Sequence, residues 1–105
     1  VAYTVFLNSG KYFVASDVGG GMMAWYGFVG QAPGLEDGEL AHQDRMRVEF
    51  DGWTQEVLDI IEATPSENIE RRDLYDRAPL MMKGWVTPRV ALMGDAAHPM
   101  MPNLG

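Results

Sequence analysis

The sequence contains no cysteine. This absence excludes a disulfide framework, a cysteine zinc site and a thiol nucleophile. Basic residues are also few, since 8 Lys and Arg against 15 Asp and Glu give a net charge of -7. Because phosphate binding requires clustered Lys and Arg, this balance argues against nucleic acid as a partner. No apolar run approaches the length of a membrane span, and no signal or transit peptide is visible at Val1.

The residues that are present indicate a folded chain. The length of 105 residues accommodates one domain at most, and the hydrophobic content of 47% is typical of a globular protein. The first residue is not Met, and the last residues have the composition of a helix start. We therefore expect sequence to be missing from both ends.

Three strands are predicted in the first third of the chain, over Val1–Leu7, Lys11–Val18 and Met22–Val29. Turns of Asn8-Ser9-Gly10 and Gly19-Gly20-Gly21 separate them. The third strand is apolar on both faces, so something must cover each face. One cover is a helix further along the chain. The other is an apolar substrate, another part of the protein or ordinary core.

A single amphipathic helix is predicted over Asp44–Thr64, with Asp44 as N-cap, a kink or split at Gly52, and an end at Thr64-Pro65. Its apolar positions recur at intervals of three and four residues. They are Met46, Phe50, Trp53, Val57, Ile60 and Ile61. This stripe is most simply the face that packs on the sheet. A turn over Ser66–Asn68 and a charged strand over Ile69–Tyr75 follow.

The last segment carries the most distinctive pattern. A short apolar run, Val90–Met93, predicts a buried strand that Gly94 ends. Asp95 then lies just past the carboxyl end of that strand, where open α/β sheets bind ligands. A Gly-Asp turn alone favours the simpler interpretation, in which Asp95 caps the next helix. A metal pair of Asp95 and His98 is disfavoured, because the two ligands differ in softness and have no third partner nearby.

The longer pattern reverses the preference for a simple helix cap. The run from Gly94 to His98, followed by Pro102 and Gly105, resembles the second flavin-binding motif of FAD-dependent monooxygenases of the aromatic-hydroxylase type. The resemblance implies that Asp95 accepts hydrogen bonds from FAD hydroxyls. It also implies that Pro102 lines the flavin face where oxygen reacts, and that Gly105 opens a helix facing the ring. His98 is expected to be structural.

The resemblance covers nearly the whole chain and implies its organisation. Residues 1–87 are expected to form part of a substrate-binding sheet and helix region. Residues 88–105 are expected to form the second FAD-binding motif, and the N-terminal dinucleotide fold is absent. The fold class is therefore an α+β fragment, in which an antiparallel substrate-domain sheet with one packed helix leads into a strand of the α/β FAD-binding domain.

The implied activity is a flavin-dependent oxygen transfer. The pattern over Tyr12–Gly19, Trp25-Tyr26, Gly52-Trp53 and Arg71–Pro79 narrows the resemblance to family members of plants and algae that epoxidise a carotenoid. It implies FAD as cofactor, a flavin C4a-hydroperoxide, NAD(P)H or ferredoxin as electron donor, and a chloroplast location. Trp25 and Tyr26 are the candidate substrate-lining residues. The sequence offers no metal ligand set and no catalytic side chain. The resemblance is also compatible with a peripheral contact between the full protein and a membrane.

Three alternatives stay open on the sequence alone. One is a flavin hydroxylase of a small aromatic acid, which a polar, arginine-lined pocket would favour. Another is a non-enzymatic α+β binding module. The third is a flavin-binding relative that has lost catalysis. We expect these residues to be inactive by themselves, because the Gly-x-Gly-x-x-Gly fingerprint that holds the FAD pyrophosphate is absent.

Overall fold

The chain divides into two structural units, Val1–Arg71 and Arg72–Gly105. The computed structural model describes residues 3–34, 38, 40–78 and 84–101. The division between units does not test the predicted functional boundary between residues 87 and 88, which stays a prediction.

The first unit contains a three-stranded antiparallel sheet of β1 (Tyr3–Asn8), β2 (Lys11–Gly19) and β3 (Met22–Val29), in that order. All three predicted strands are thus confirmed. The second hairpin turns through Gly20 and Gly21, whose φ angles are 64° and 74°. A type I′ turn requires positive φ at both central residues, which explains why glycines stand there.

The helical region predicted over Asp44–Thr64 is present, and of the kink or split expected at Gly52 the structure has the split. The two helices are α1 (His42–Glu49) and α2 (Gln55–Ala63). The helix breaks at Gly52, whose φ of 74° lies in the left-handed region. The prediction of Asp44 as N-cap was wrong, because the helix begins two residues earlier and Ala41 is the N-cap. The predicted end is confirmed, with Thr64 as the C-cap of α2.

The core of the first unit lies between one face of the sheet and the two helices. Phe13, Phe50 and Val57 are 0% exposed, and Ile61 is 1% exposed. The partly buried residues Phe6, Trp25, Val29, Met46, Trp53 and Ile60 pack against this cluster. The whole predicted apolar stripe therefore faces the core, although Phe50 and Trp53 lie in the non-helical break.

Two predicted strands are not formed. Residues 69–75 carry no strand, and the run Val90–Met93 takes part only in a single bridge between Val86 and Ala91. Val90, Leu92 and Met93 are 60%, 48% and 81% exposed, so this run is not buried. A strand is held by the hydrogen bonds of a neighbouring strand, and within the described residues neither segment has one. The α+β class is confirmed, whereas the assignment of residues 88–105 to an FAD-binding domain stays a prediction.

Candidate functional site

A tight hydrogen-bonded turn carries the Gly94-Asp95 pair. Residues Gly94–Ala96 form one turn of 3₁₀ helix after the extended residue Met93. The backbone N–H groups of Ala97 and His98 both donate to the carbonyl oxygen of Gly94 at 2.9 Å. Gly94 has a φ of 60°, a conformation that favours glycine. We call residues 93–98 the motif turn.

Three further hydrogen bonds order the chain around the motif turn. The N–H of Leu92 donates to the carbonyl of Trp85 at 2.9 Å, and the N–H of Thr87 donates to the carbonyl of Val90 at 2.7 Å. These bonds close a small loop that leads into the motif turn. After the turn, the carbonyl of Pro99 accepts a hydrogen bond from the N–H of Arg77 at 3.1 Å. The backbone both before and after residues 94–98 is therefore held by hydrogen bonds.

Asp95 is presented outwards by the motif turn. Its residue is exposed, and no donor within the described residues hydrogen-bonds or ion-pairs with its carboxylate. A free carboxylate can accept two hydrogen bonds from neighbouring hydroxyl groups. This property is compatible with the role that the resemblance implies for Asp95 at FAD hydroxyls, which stays a prediction.

The other predicted residues of the flavin motif divide into two groups. His98 is exposed, and its backbone N–H helps to close the motif turn, but its side chain is not tested and its structural role stays a prediction. Ala97 is 1% exposed, so its small side chain is packed. Pro102 and Gly105 lie outside the described residues, and their predicted roles stay predictions.

The sheet has one face that the helices leave open. The strand register places three rows of side chains on this face. The rows are Tyr3-Ser16-Ala24, Val5-Val14-Tyr26 and Leu7-Tyr12-Phe28. We call these nine residues the open face. None of them carries a charge, and Leu7, Tyr3 and Tyr26 are 79%, 62% and 57% exposed.

Aromatic rings form a continuous patch on the open face. The rings of Tyr12 and Phe28 stack with centroids 4.2 Å apart and an interplanar angle of 10°. The ring of Tyr26 lies 6.5 Å from that of Phe28 at an angle of 36°. Such a patch offers a flat, uncharged surface to an apolar partner.

The two candidate substrate-lining residues lie on opposite faces of the sheet. Tyr26 is on the open face, whereas Trp25 is on the face covered by the helices. The Trp25 ring stacks on Phe13 at 5.1 Å, and its Nε1–H donates to the Thr64 hydroxyl oxygen at 2.9 Å. Core packing accounts for Trp25, and the two residues cannot line one cavity from the same side of the sheet.

A carboxylate network ties β2 to α1. The Lys11 ammonium donates to Glu49 Oε2 at 2.8 Å and to the Glu49 carbonyl at 2.7 Å. The Gln31 amide donates to Glu49 Oε1 at 2.6 Å, and Arg45 pairs with the same oxygen at 3.1 Å. The hydrogen bond from Lys11 is the main reason why the pKa of Glu49 is lowered, against the opposing effect of partial burial. This network stabilises the fold and contains no arrangement for catalysis.

Sequence reasoning missed most of the open face. It recognised that β3 is apolar on both faces, but not which residues of β1 and β2 lie beside it on the open face. The signal was present in β1, where Tyr3, Val5 and Leu7 alternate with Thr4 and Phe6. The Glu49 network had no such signal, because Lys11 and Glu49 are 38 residues apart.

The described part of the chain has neither a candidate metal centre nor a candidate membrane-spanning helix. Those residues contain no group of three or more His, Cys, Asp or Glu side chains placed to hold a metal ion. Among the helices so described, none has both the length and the apolar character needed to cross a bilayer.

Comparison with known proteins gives one consistent group of relatives. The chain is 50% identical to the chloroplastic zeaxanthin epoxidase of Spinacia oleracea, and 48% identical to those of Arabidopsis thaliana and Oryza sativa subsp. japonica. Each match covers 100% of this chain but only 15% or 16% of the relative. No family model matches the chain, and no solved structure gives a significant match. The resemblance predicted from the sequence is thereby confirmed: over its full length, the chain is homologous to a segment of the zeaxanthin epoxidases.

Proposed function

We propose that these residues serve as part of an FAD-dependent monooxygenase that epoxidises a carotenoid in the chloroplast. The observation that carries this proposal is the 45–50% identity with enzymes named chloroplastic zeaxanthin epoxidase, extending over 98–100% of the chain. That identity includes the segment in which the Gly94-Asp95 turn lies. The substrate class is accordingly zeaxanthin and related carotenoids, which become epoxides.

The role of Asp95 in this proposal is to hold the cofactor. Its exposed carboxylate accepts hydrogen bonds from FAD hydroxyls, and the left-handed φ of Gly94 at 60° lets the backbone turn sharply just before it. By the resemblance, Pro102 and Gly105 complete this part of the site. When bound, FAD supplies the oxygen transfer, which we propose runs through a flavin C4a-hydroperoxide.

The open face is proposed to contribute to the substrate site. It has no arginine or other charge among its nine residues, which favours a carotenoid over a small aromatic acid. Tyr26 and its neighbours Phe28 and Tyr12 offer ring faces to a conjugated chain. Trp25 acts from the opposite side, where it fixes the sheet to the C-cap of α2 through Thr64.

The electron donor is proposed to be NAD(P)H or ferredoxin. A peripheral membrane contact of the full protein is also proposed, because it would bring the enzyme to its apolar substrate. The chain's own contribution is to position the cofactor and to provide apolar surface that excludes water. No nucleophile or general acid–base pair is needed from these residues.

A segment replacement tests the proposal. The matching segment of the Spinacia oleracea enzyme is exchanged for these 105 residues, to give a protein that we call the chimera. We expect the chimera to purify with FAD and to convert zeaxanthin to epoxide when supplied with reductant. The unaltered spinach enzyme is the control. A chimera that gives the circular dichroism of the parent and binds FAD, but forms no epoxide, would contradict the proposed activity.

A further inference from the structure

Two highly exposed methionines bracket the motif turn. Met93 and Met100 are 81% and 75% exposed, and Met93 is the most exposed large hydrophobic residue among those described. Met101 is 40% exposed. By contrast, Met46 is partly buried and packs against the core. The thioethers beside Asp95 are therefore open to small solutes, whereas the thioether of Met46 is shielded.

The backbone fixes both methionines to the turn that carries Asp95. Met93 is the extended residue immediately before Gly94, with φ -145° and ψ 161°. Met100 follows Pro99, whose carbonyl is held by the N–H of Arg77 at 3.1 Å. A change in either side chain thus acts on an ordered segment within a few residues of the carboxylate.

Methionine is the only sulfur-containing residue type in the chain, because the sequence has 8 Met and no Cys. A methionine sulfur attacks one oxygen of hydrogen peroxide, the O–O bond breaks, and methionine sulfoxide and water are formed. The sulfur loses two electrons and the peroxide gains them. The product is a polar, chiral side chain in place of a flexible apolar one.

We propose that Met93 and Met100 form a peroxide-oxidation site next to Asp95, and that sulfoxide formation there weakens the retention of FAD. The oxidation itself requires only hydrogen peroxide. The link to FAD rests on the proposed function, in which hydrogen peroxide arises whenever reduced flavin passes its two electrons to oxygen without substrate oxidation. The released peroxide then oxidises Met93 and Met100 and so lowers the FAD content of the enzyme that produced it.

The first measurement follows oxidation of the 105-residue chain by dilute hydrogen peroxide, with peptide mapping by mass spectrometry. We expect sulfoxide to form at Met93 and Met100 at least about fivefold faster than at Met46, since exposure governs this reaction. Equal or slower oxidation at Met93 and Met100 would overturn the proposed site. This result does not depend on FAD, so it is separate from the proposed function.

The second measurement follows FAD content of the chimera after the same peroxide treatment. We expect peroxide treatment to lower the FAD content of the chimera. In the variant Met93→Leu/Met100→Leu, the same treatment should remove a smaller fraction of the FAD that the untreated variant holds. The matched control is Met22→Leu/Met23→Leu, which removes two methionines that are 65% and 54% exposed on β3 and should give no protection. Equal FAD loss in all three proteins would overturn the link between these methionines and the cofactor.

Discussion

At the scale of single residues, the lack of a side chain at Gly27 lets Phe50, in the break between the two helices, lie close against the sheet. A Cβ atom added to Gly27 would lie 2.9 Å from Cζ and 3.0 Å from Cε2 of Phe50. Phe50 is 0% exposed and also meets the ring of Phe13 edge-on at 5.4 Å. The absence of a side chain at Gly27 therefore makes room for the central aromatic residue of the core.

Gly27→Ala is expected to lower the free energy of unfolding by about 1–3 kcal/mol, the usual cost of overpacking a core. Urea unfolding of the 105-residue chain measures this change. Gly84→Ala is the matched control, because its added Cβ meets nothing nearer than 3.9 Å. The double variant Gly27→Ala/Phe50→Leu should recover part of the loss if the clash with Phe50 is its cause. Equal effects at Gly27 and Gly84 would contradict this account.

At the scale of elements, the end of α2 is closed by a side chain from α1. The Gln43 amide nitrogen donates to the carbonyls of Ile61, Glu62 and Thr64 at 3.1, 3.1 and 2.8 Å. The last carbonyl groups of a helix have no partner within the helix. Gln43 supplies hydrogen-bond donors to these groups, and so joins the start of one helix to the end of the next.

Gln43→Met keeps the length of the side chain but removes its donors. We expect a loss of about 1–3 kcal/mol in the free energy of unfolding, because part-buried carbonyls lose their hydrogen bonds. Gln55→Met is the control, since the exposed Gln55 amide only donates to Asp59 within α2. Its effect should stay within about 0.5 kcal/mol. Indistinguishable effects of the two substitutions would show that Gln43 does not cap α2.

The contact between β2 and α1 predicts a dependence of stability on pH. The pKa of Glu49 is lowered in the folded state from its ordinary value of 4.5, mainly by the hydrogen bond from Lys11. The contribution of Glu49 is therefore complete above pH 4.5 and is lost as the pH falls through its folded pKa, because the unfolded state binds the proton more readily.

Glu49→Gln is expected to reduce the slope of the free energy of unfolding against pH in the acidic range where Glu49 takes up its proton. The reduction is at most about 1.4 kcal/mol per pH unit, the limit for one proton. Urea unfolding at a series of pH values between about 3 and 6 measures it. Glu56→Gln changes an exposed carboxylate of α2 that has no ion pair within the described residues, and should keep the original slope. The same slope in Glu49→Gln and the unaltered chain would refute the role of this network.

The sequence predicts elements better than it predicts what they pack against. The β-branched and aromatic composition of the strand segments, the turns between them and the three-and-four spacing of the apolar stripe were enough to identify the sheet and the helical region. The helical region is divided around Gly52, one of the two outcomes expected there, and Phe50 and Trp53 in the break still face the core. The strand predicted over Val90–Met93 was wrong, because apolar composition alone does not supply the neighbouring strand that a ladder requires.

At the scale of the whole molecule, the open face and the motif turn are the two features that the packing of each unit leaves unexplained. Nine uncharged residues on one side of a sheet, several of them more than half exposed, imply an apolar partner. The Asp95 carboxylate is free within the described residues. The proposed role in a flavin enzyme with a carotenoid substrate would account for both features. The chain matches only 15% of the length of the Spinacia oleracea relative.

The most direct test of this account is the FAD content of the chimera with Asp95→Ala. We expect it to purify with at least about tenfold less bound FAD, because the hydroxyls of the cofactor lose a charged acceptor, whose hydrogen bonds contribute about 1.5–3 kcal/mol. Asp51→Ala, at an exposed acid in the break between the helices, is the matched control and should keep the FAD of the unaltered chimera. The absorbance of flavin released per mole of protein measures the content of each. Unchanged FAD in a well-folded Asp95→Ala chimera would contradict the assignment of the motif turn as a flavin site.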